Sequence, residues 1–194
     1  MGKIVVSEFI SMDGVIQAPG GEDEDLDGGF KHGAWTLPYW DDAMGESLGA
    51  LMGNASALLL GRRTYVTHAE AFEPMPAGDP FGDLLNPLKK YVVSRTLDKP
   101  FWRNTTVIRD NVIESVRALK ASTDGDIVTD GSSQLVHALL AADLVDELHL
   151  LLYPVMLGSG KRLFADGVHS AFALKSATPY STGVVGLHYV RQRG

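Results

Sequence analysis

Three short turns carry the residues best suited to chemistry: Gly61-Arg62-Arg63-Thr64, Ser94-Arg95-Thr96 and Gly131-Ser132-Ser133-Gln134. Each follows a short apolar run (Ala57–Leu60, Tyr91–Val93 and Ile127–Thr129), and two of the three open onto a helical pattern. A strand, a small-residue turn and a helix N-terminus together present free backbone N–H groups and the positive end of a helix dipole, which favour an anion. Repetition along one sheet suggests a long polyphosphate ligand such as a dinucleotide. Gly61 lets backbone approach a phosphate closely. Thr64 offers a hydroxyl and an amide, and Arg62 and Arg63 are permanently charged planar donors. The same four residues also read, about equally well, as a helix-opening turn with two solvated arginines. Ser94 and Arg95 suit a second phosphate, since arginine commonly recognises the ribose 2′-phosphate that separates NADP from NAD; an exposed strand end is the plainer reading. The third turn lacks the Gly-x-Gly-x-x-Gly fingerprint.

Other positions argue mainly by exclusion. Leu157-Gly158-Ser159-Gly160-Lys161 lacks the full spacing of a phosphate loop and reads as a turn after a strand. The 6 histidines show neither His-x-x-x-His nor His-Glu-x-x-His spacing, so no metal is expected. Ser132 lacks the flanks of a nucleophile elbow. Among carboxylates, Asp13 and Asp41 are the candidate acids. Asp13 also suits a turn residue bonding its own backbone, and Asp41 and Asp42 suit the first turn of a helix. Glu22, Asp23, Glu24, Asp25 and Asp27 read as a solvated, flexible loop; their spacing does not fit an EF-hand. Trp35, Tyr39 and Trp40 suit core packing or stacking on a flat heterocycle.

The chain of 194 residues is 45% hydrophobic and 21% charged, with net charge −7 and no cysteine. That charge argues against a general nucleic-acid or anionic-membrane surface. Thiolate catalysis and disulfides are excluded. No run approaches the ~20 apolar residues of a membrane helix, and a soluble, cytoplasmic protein is the expectation. Strands are predicted at 3–10, 56–60, 90–94, 106–108, 126–129, 147–155, 171–178 and 184–191. Helices are predicted at 38–52, 64–72, 113–120 and from Ser132 or Ser133 to about Ala142. Alternation that ends in two strands predicts an α/β protein over 1–194: a single domain with a mixed, mainly parallel sheet, flanking helices and antiparallel C-terminal strands.

Taken together, the motifs resemble the dihydrofolate-reductase-like superfamily, and more closely the reductase domain of the bacterial riboflavin-biosynthesis deaminase-reductase and its stand-alone relatives. The matching pieces are Ser11–Ile16, Leu60–Tyr65, Tyr91–Ser94 and a long stretch from Gly131 through Leu144–Leu148 to Pro154–Phe164. The resemblance implies an NADPH-dependent reductase, a homodimer, acting on a small heterocyclic or carbonyl substrate such as 5-amino-6-(5-phosphoribosylamino)uracil. It implies that Gly61, Arg62, Arg63 and Thr64 hold cofactor phosphates and that Ser94 and Arg95 meet the 2′-phosphate. It further implies that Gly131, Ser132, Ser133 and Gln134 bind the pyrophosphate, with the Phe9 backbone and Ile16 bordering the nicotinamide. The acid that dihydrofolate reductases carry after a Leu-Pro segment falls out of register here, in Leu37-Pro38-Tyr39-Trp40-Asp41-Asp42. A dihydrofolate reductase, or a nucleotide-binding sensor or scaffold without catalysis, are the alternatives.

Overall fold

The computed structural model describes residues 1–193. Its elements are β1 (Lys3–Ser11), α1 (Asp42–Gly53), β2 (Ala55–Gly61), α2 (Arg62–Phe72), α3 (Pro80–Leu85), β3 (Lys89–Val93), β4 (Thr105–Ile108), α4 (Val112–Ser122), β5 (Asp126–Thr129), α5 (Ser133–Ala141), β6 (Glu147–Tyr153), β7 (Phe172–Pro179) and β8 (Val185–Arg191). They build one 8-stranded sheet in the order β4-β3-β2-β5-β1-β6-β8-β7. The first six strands are parallel, and β8 and β7 add antiparallel.

Side chains alternate across a strand, so β1 supplies two cores. Ile4, Val6 and Ile10 pack with Val116 and Leu119 of α4 and Leu135, Val136 and Leu139 of α5. Val5 lies on the other face with Leu58, Leu60 and Val128, under Tyr65 and Ala69 of α2 and Leu85 of α3. Each such fully buried side chain contributes about 1.5–3 kcal/mol relative to exposure.

The predicted helix at 38–52 divides. Leu37–Tyr39 forms a 3-10 turn, Trp40 is extended, and α1 begins after Asp41, whose carboxylate caps it by accepting from the Ala43 amide at 2.9 Å. The short helix α3 was not anticipated; Asp79 caps it through the amides of Phe81 and Gly82, and Pro80 suits its first turn. The aromatic cluster is mostly core. Trp35 and Tyr39 meet Tyr153 edge-on, at 5.2 and 6.1 Å between ring centres, and Trp40 is exposed.

Strand length creates the site. The β1–β5 ladder ends at Val6↔Thr129, whereas β1 continues beside β6 as far as Ser11↔Tyr153. On the other side, β2 outruns β5 from Leu58↔Val128 to Gly61. A four-residue strand between two longer ones leaves a notch at the carboxyl edge of the sheet. The connections also reverse direction there: β2, β3 and β4 lie to one side of β1 and β6 to the other. Open α/β sheets bind ligands at such a switch point.

Candidate active site

Above the notch lies a cavity of about 920 Å³, walled by β1, α2, the Gly131 turn and the loop after β1. Two of the glycine turns meet there. The Gly61 amide donates to Ser132 Oγ at 2.8 Å, and Thr64 Oγ1 accepts from Ser132 N and Ser132 Oγ, both at 3.0 Å. A hydroxyl has one proton and two acceptor lone pairs. With both lone pairs used, the Thr64 proton is left for a ligand. Gly131 has φ +53, and a Cβ added there would come within 2.7 Å of Thr64 Oγ1.

Of Ser132 and Ser133, the two candidate caps of α5, Ser132 occupies the cap position. Its φ of 43 is left-handed, and it makes no side-chain capping bond, because its hydroxyl is committed to Gly61 and Thr64. Gly61 likewise gives α2 no side-chain cap. Two helices of eleven and nine residues therefore present uncapped first turns at one spot. That pair of positive dipole ends and free amides suits a diphosphate.

In the loop after β1, Glu22 and Asp23 are exposed as a solvated loop requires, whereas the Asp25–Asp27 segment is tied down. Gln17 Nε2 donates to the carbonyls of Asp25 and Asp27, at 2.9 and 3.0 Å, and Gln17 Oε1 accepts from the Lys161 amide at 2.9 Å. Asp25 and Asp27 both pair with Lys161, and Asp27 also pairs with Arg63. Acidic side chains thus hold Arg63 and Lys161, two of the cations that line the cavity. Lys161 arrives from the turn after β6, where Gly160 has φ +122 and a Cβ would meet Val15 Cγ1 at 2.6 Å.

The wall of the cavity carries a further ionisable group, on β1. Glu8 on β1 is 6% exposed, and its Oε1 has no hydrogen-bond partner among the described residues. Burial, followed by the charge of Asp130, pushes its carboxyl well above the usual range; the Gly131 amide opposes them. Asp130 also leaves one oxygen, Oδ1, without a partner. Its Oδ2 bonds His68 Nε2 at 2.8 Å. Burial works against a charged His68, but the charge and hydrogen bond of Asp130 outweigh it and raise the ring's pKa. Glu8, Asp130 and His68 all line the cavity. The signal available in sequence was an acid inside a β-branched, buried strand; charged groups are seldom fully buried without a partner.

A model of the RibD C-terminal domain matches residues 2–186. The chain belongs to this family. It is 29% identical to the uncharacterized protein YyaP of Bacillus subtilis (strain 168), over 96% of this chain and 94% of that one. Its fold is similar to that of a pyrimidine reductase-like protein from Corynebacterium diphtheriae, with TM-score 0.70, 16% identity and coverage of 100% and 93%. It is also similar to dihydrofolate reductase from Enterococcus faecalis complexed with NADP(H), with TM-score 0.65, 17% identity and coverage of 99% and 98%. The fold is dihydrofolate-reductase-like, and membership places the chain among reductase-type domains.

In this RibD C-terminal domain the expected site residues separate into two groups. Phe9, Ile16, Arg62, Arg63, Thr64, Gly131, Ser132 and Ser133 line the cavity, and Gly61 joins them through Ser132. Ser94, Arg95 and Gln134 do not line it. Ser94 Oγ accepts from the Thr96 and Leu97 amides at 3.1 and 3.0 Å, which shapes the turn after β3. Arg95 is exposed, 3.9 Å from Asp110. Since Val93 is the register partner of Gly61, Ser94 and Arg95 flank the Gly61–Arg62 turn along the sheet edge.

Neither candidate acid reaches the cavity. Asp13 bonds the Ser11 hydroxyl at 2.6 Å and accepts from the Leu157 and Gly158 amides at 3.1 and 2.8 Å, so it clamps two turns together. The Ser11 bond, opposed by burial and reinforced by those amides, holds its carboxyl down to about 2. Asp41 caps α1 and also binds Ser181. Among the described residues, no helix is long and apolar enough to cross a membrane.

Proposed function

We propose that the protein is an NADPH-dependent reductase of a small heterocyclic or carbonyl compound, with 5-amino-6-(5-phosphoribosylamino)uracil as the first substrate to try. The observation that carries this reading is the meeting of two uncapped helix N-termini at Gly131, where only a missing Cβ leaves room above Thr64. The first amides of α2 and α5 and the Thr64 hydroxyl would hold the diphosphate. Arg63 and Lys161 would exchange Asp27 and Asp25 for phosphate oxygens, and Arg62 with Arg95 would meet the 2′-phosphate. The Phe9 backbone and Ile16 would border the nicotinamide in the notch beside β1.

A bound nicotinamide supplies a hydride, and the protein supplies position and electrostatics. Glu8 takes the role first sought at Asp13 and Asp41. Its burial favours the protonated form, and it would supply a proton to the nitrogen or oxygen of the double bond that the cofactor reduces. Asp130 and His68, which line the same cavity, would be the route by which that proton is restored. The raised carboxyl matches the requirement that a general acid stay protonated near working pH. Homodimerisation and a cytoplasmic setting belong to the same proposal, by analogy with the family.

The test is loss of nicotinamide absorbance when the protein and NADPH are mixed with dihydrofolate, ribosylaminopyrimidines and a carbonyl panel, alongside fluorescence titrations with NADPH and NADH. The expected result is tighter binding of NADPH than of NADH and turnover of at least one ring compound. Tight NADPH binding without any turnover would point instead to a sensor or scaffold. Failure to bind either nucleotide would reject the reading.

A further inference from the structure

Away from the cavity, three side chains converge on the face of β6 and β8. Glu147 and His149 are two residues apart on β6, so they leave the same face. His188 on β8 is the direct cross-strand partner of His149. The two imidazoles stack with centroids 4.0 Å apart and planes at 28°. Their Nε2 atoms both face one oxygen, Glu147 Oε2, at 2.9 Å from His188 and 3.4 Å from His149. One ligand atom from each residue lies within 4.8 Å of the other two, and all three residues are half-buried. The second carboxylate oxygen, Oε1, is engaged by Lys3 Nζ at 2.7 Å, which fixes the carboxylate and leaves Oε2 to the two imidazoles.

We propose that Glu147, His149 and His188 form a site for a divalent transition-metal cation, zinc or nickel, that staples β6 to β8. Two imidazole nitrogens and one carboxylate oxygen are the donor set these ions prefer over magnesium or calcium. In the metal-free protein, one oxygen must serve two rings. A cation at the point where the three donors converge accepts a lone pair from each. A carboxylate anchored by a neighbouring side chain is the usual outer-shell support of such a site, although the positive charge of Lys3 limits the affinity. His188 comes from a strand far along the chain from Glu147 and His149, so no local spacing reveals the full set. The histidine pattern that excluded a metal in the sequence tested only ligands adjacent on one helix. None of the three lines the cavity, and this inference does not depend on the proposed reductase function.

Calorimetric titration of the tag-free, chelator-treated protein with zinc chloride, nickel chloride and magnesium chloride tests it. One equivalent of zinc or nickel should bind and raise the melting temperature, whereas magnesium should not. His149→Gln and His188→Gln should each weaken zinc at least about tenfold. Lys3→Met should tighten it, and His169→Gln, which changes an exposed histidine, should leave it unchanged. If either ligand variant folds poorly, imidazole nitrogen NMR of the wild type provides the reading: one equivalent of zinc should shift His149 and His188 and leave the other rings in place. Unaltered zinc affinity in both folded ligand variants, or shifts confined to other histidines, would overturn the proposal.

Discussion

Glu8→Gln should melt at a higher temperature than the wild type at pH 8 and yet reduce substrate at least about 100-fold more slowly, within the usual range for a general acid. The stability half follows from linkage. The Glu8 carboxyl is raised in the folded protein, relative to about 4.3 for a free glutamate. Its stabilising contribution is therefore complete below that unfolded value and is lost as pH rises through the folded pKa. Near pH 4 the variant and wild type should differ little; at pH 8 the variant should gain about 1–3 kcal/mol, the usual scale for an unmet buried polar group. Urea melts across that pH range measure it. Activity of the wild type should fall as pH rises through the Glu8 pKa, while the residual activity of Glu8→Gln should not follow that titration. NADPH affinity should fall far less than turnover near neutral pH, although Glu8 also meets the Gly131 amide at the turn assigned to the diphosphate. A variant less stable than the wild type at every pH would make Glu8 an ordinary structural acid.

Gly131→Ala should weaken NADPH at least about 100-fold, equivalent to about 2.7 kcal/mol. The added Cβ meets Thr64 Oγ1 at 2.7 Å and Thr64 Cγ2 at 3.1 Å. Thr64 has little freedom to yield, because Ser132 N and Oγ both hold its hydroxyl. Moving it takes away the free hydroxyl proton and separates the two helix N-termini that were to share the diphosphate. An L-residue at φ +53 adds about 1–2 kcal/mol of backbone strain, so a fluorescence titration should be paired with a thermal melt. Ser132→Ala makes a useful contrast. It removes one hydroxyl and adds no clash, and it should weaken NADPH by less than Gly131→Ala. Equal NADPH affinity in folded Gly131→Ala and wild type would remove the diphosphate from this turn.

The strand alternation and the two interlocked turns could be read before folding because they rest on local signals: apolar runs of strand length, each followed by small residues. What stayed hidden depends on neighbours. Glu8 lies in an apolar run, and nothing nearby in sequence says that β5 stops short and leaves it beside a cavity. Ser132 looks like an ordinary cap, yet its hydroxyl is drawn across to Gly61 from a distant part of the chain. The acidic loop resembles solvated chain until Lys161 and Arg63, both remote in sequence, approach it. Pro74, Pro76 and Gly78 punctuate the chain just before α3, and its six residues are too few to show a helical period. Asp13 and Asp41 lie near the site in sequence, but backbone amides claim both.

Crystals grown with excess NADPH test the central claim most directly. The diphosphate should lie on the first amides of α2 and α5 with Thr64 Oγ1 donating to it, Asp27 should have released Arg63, and the nicotinamide should face Phe9 and Glu8. A nucleotide seated elsewhere, or turns left unchanged and vacant at saturating nucleotide, would contradict it.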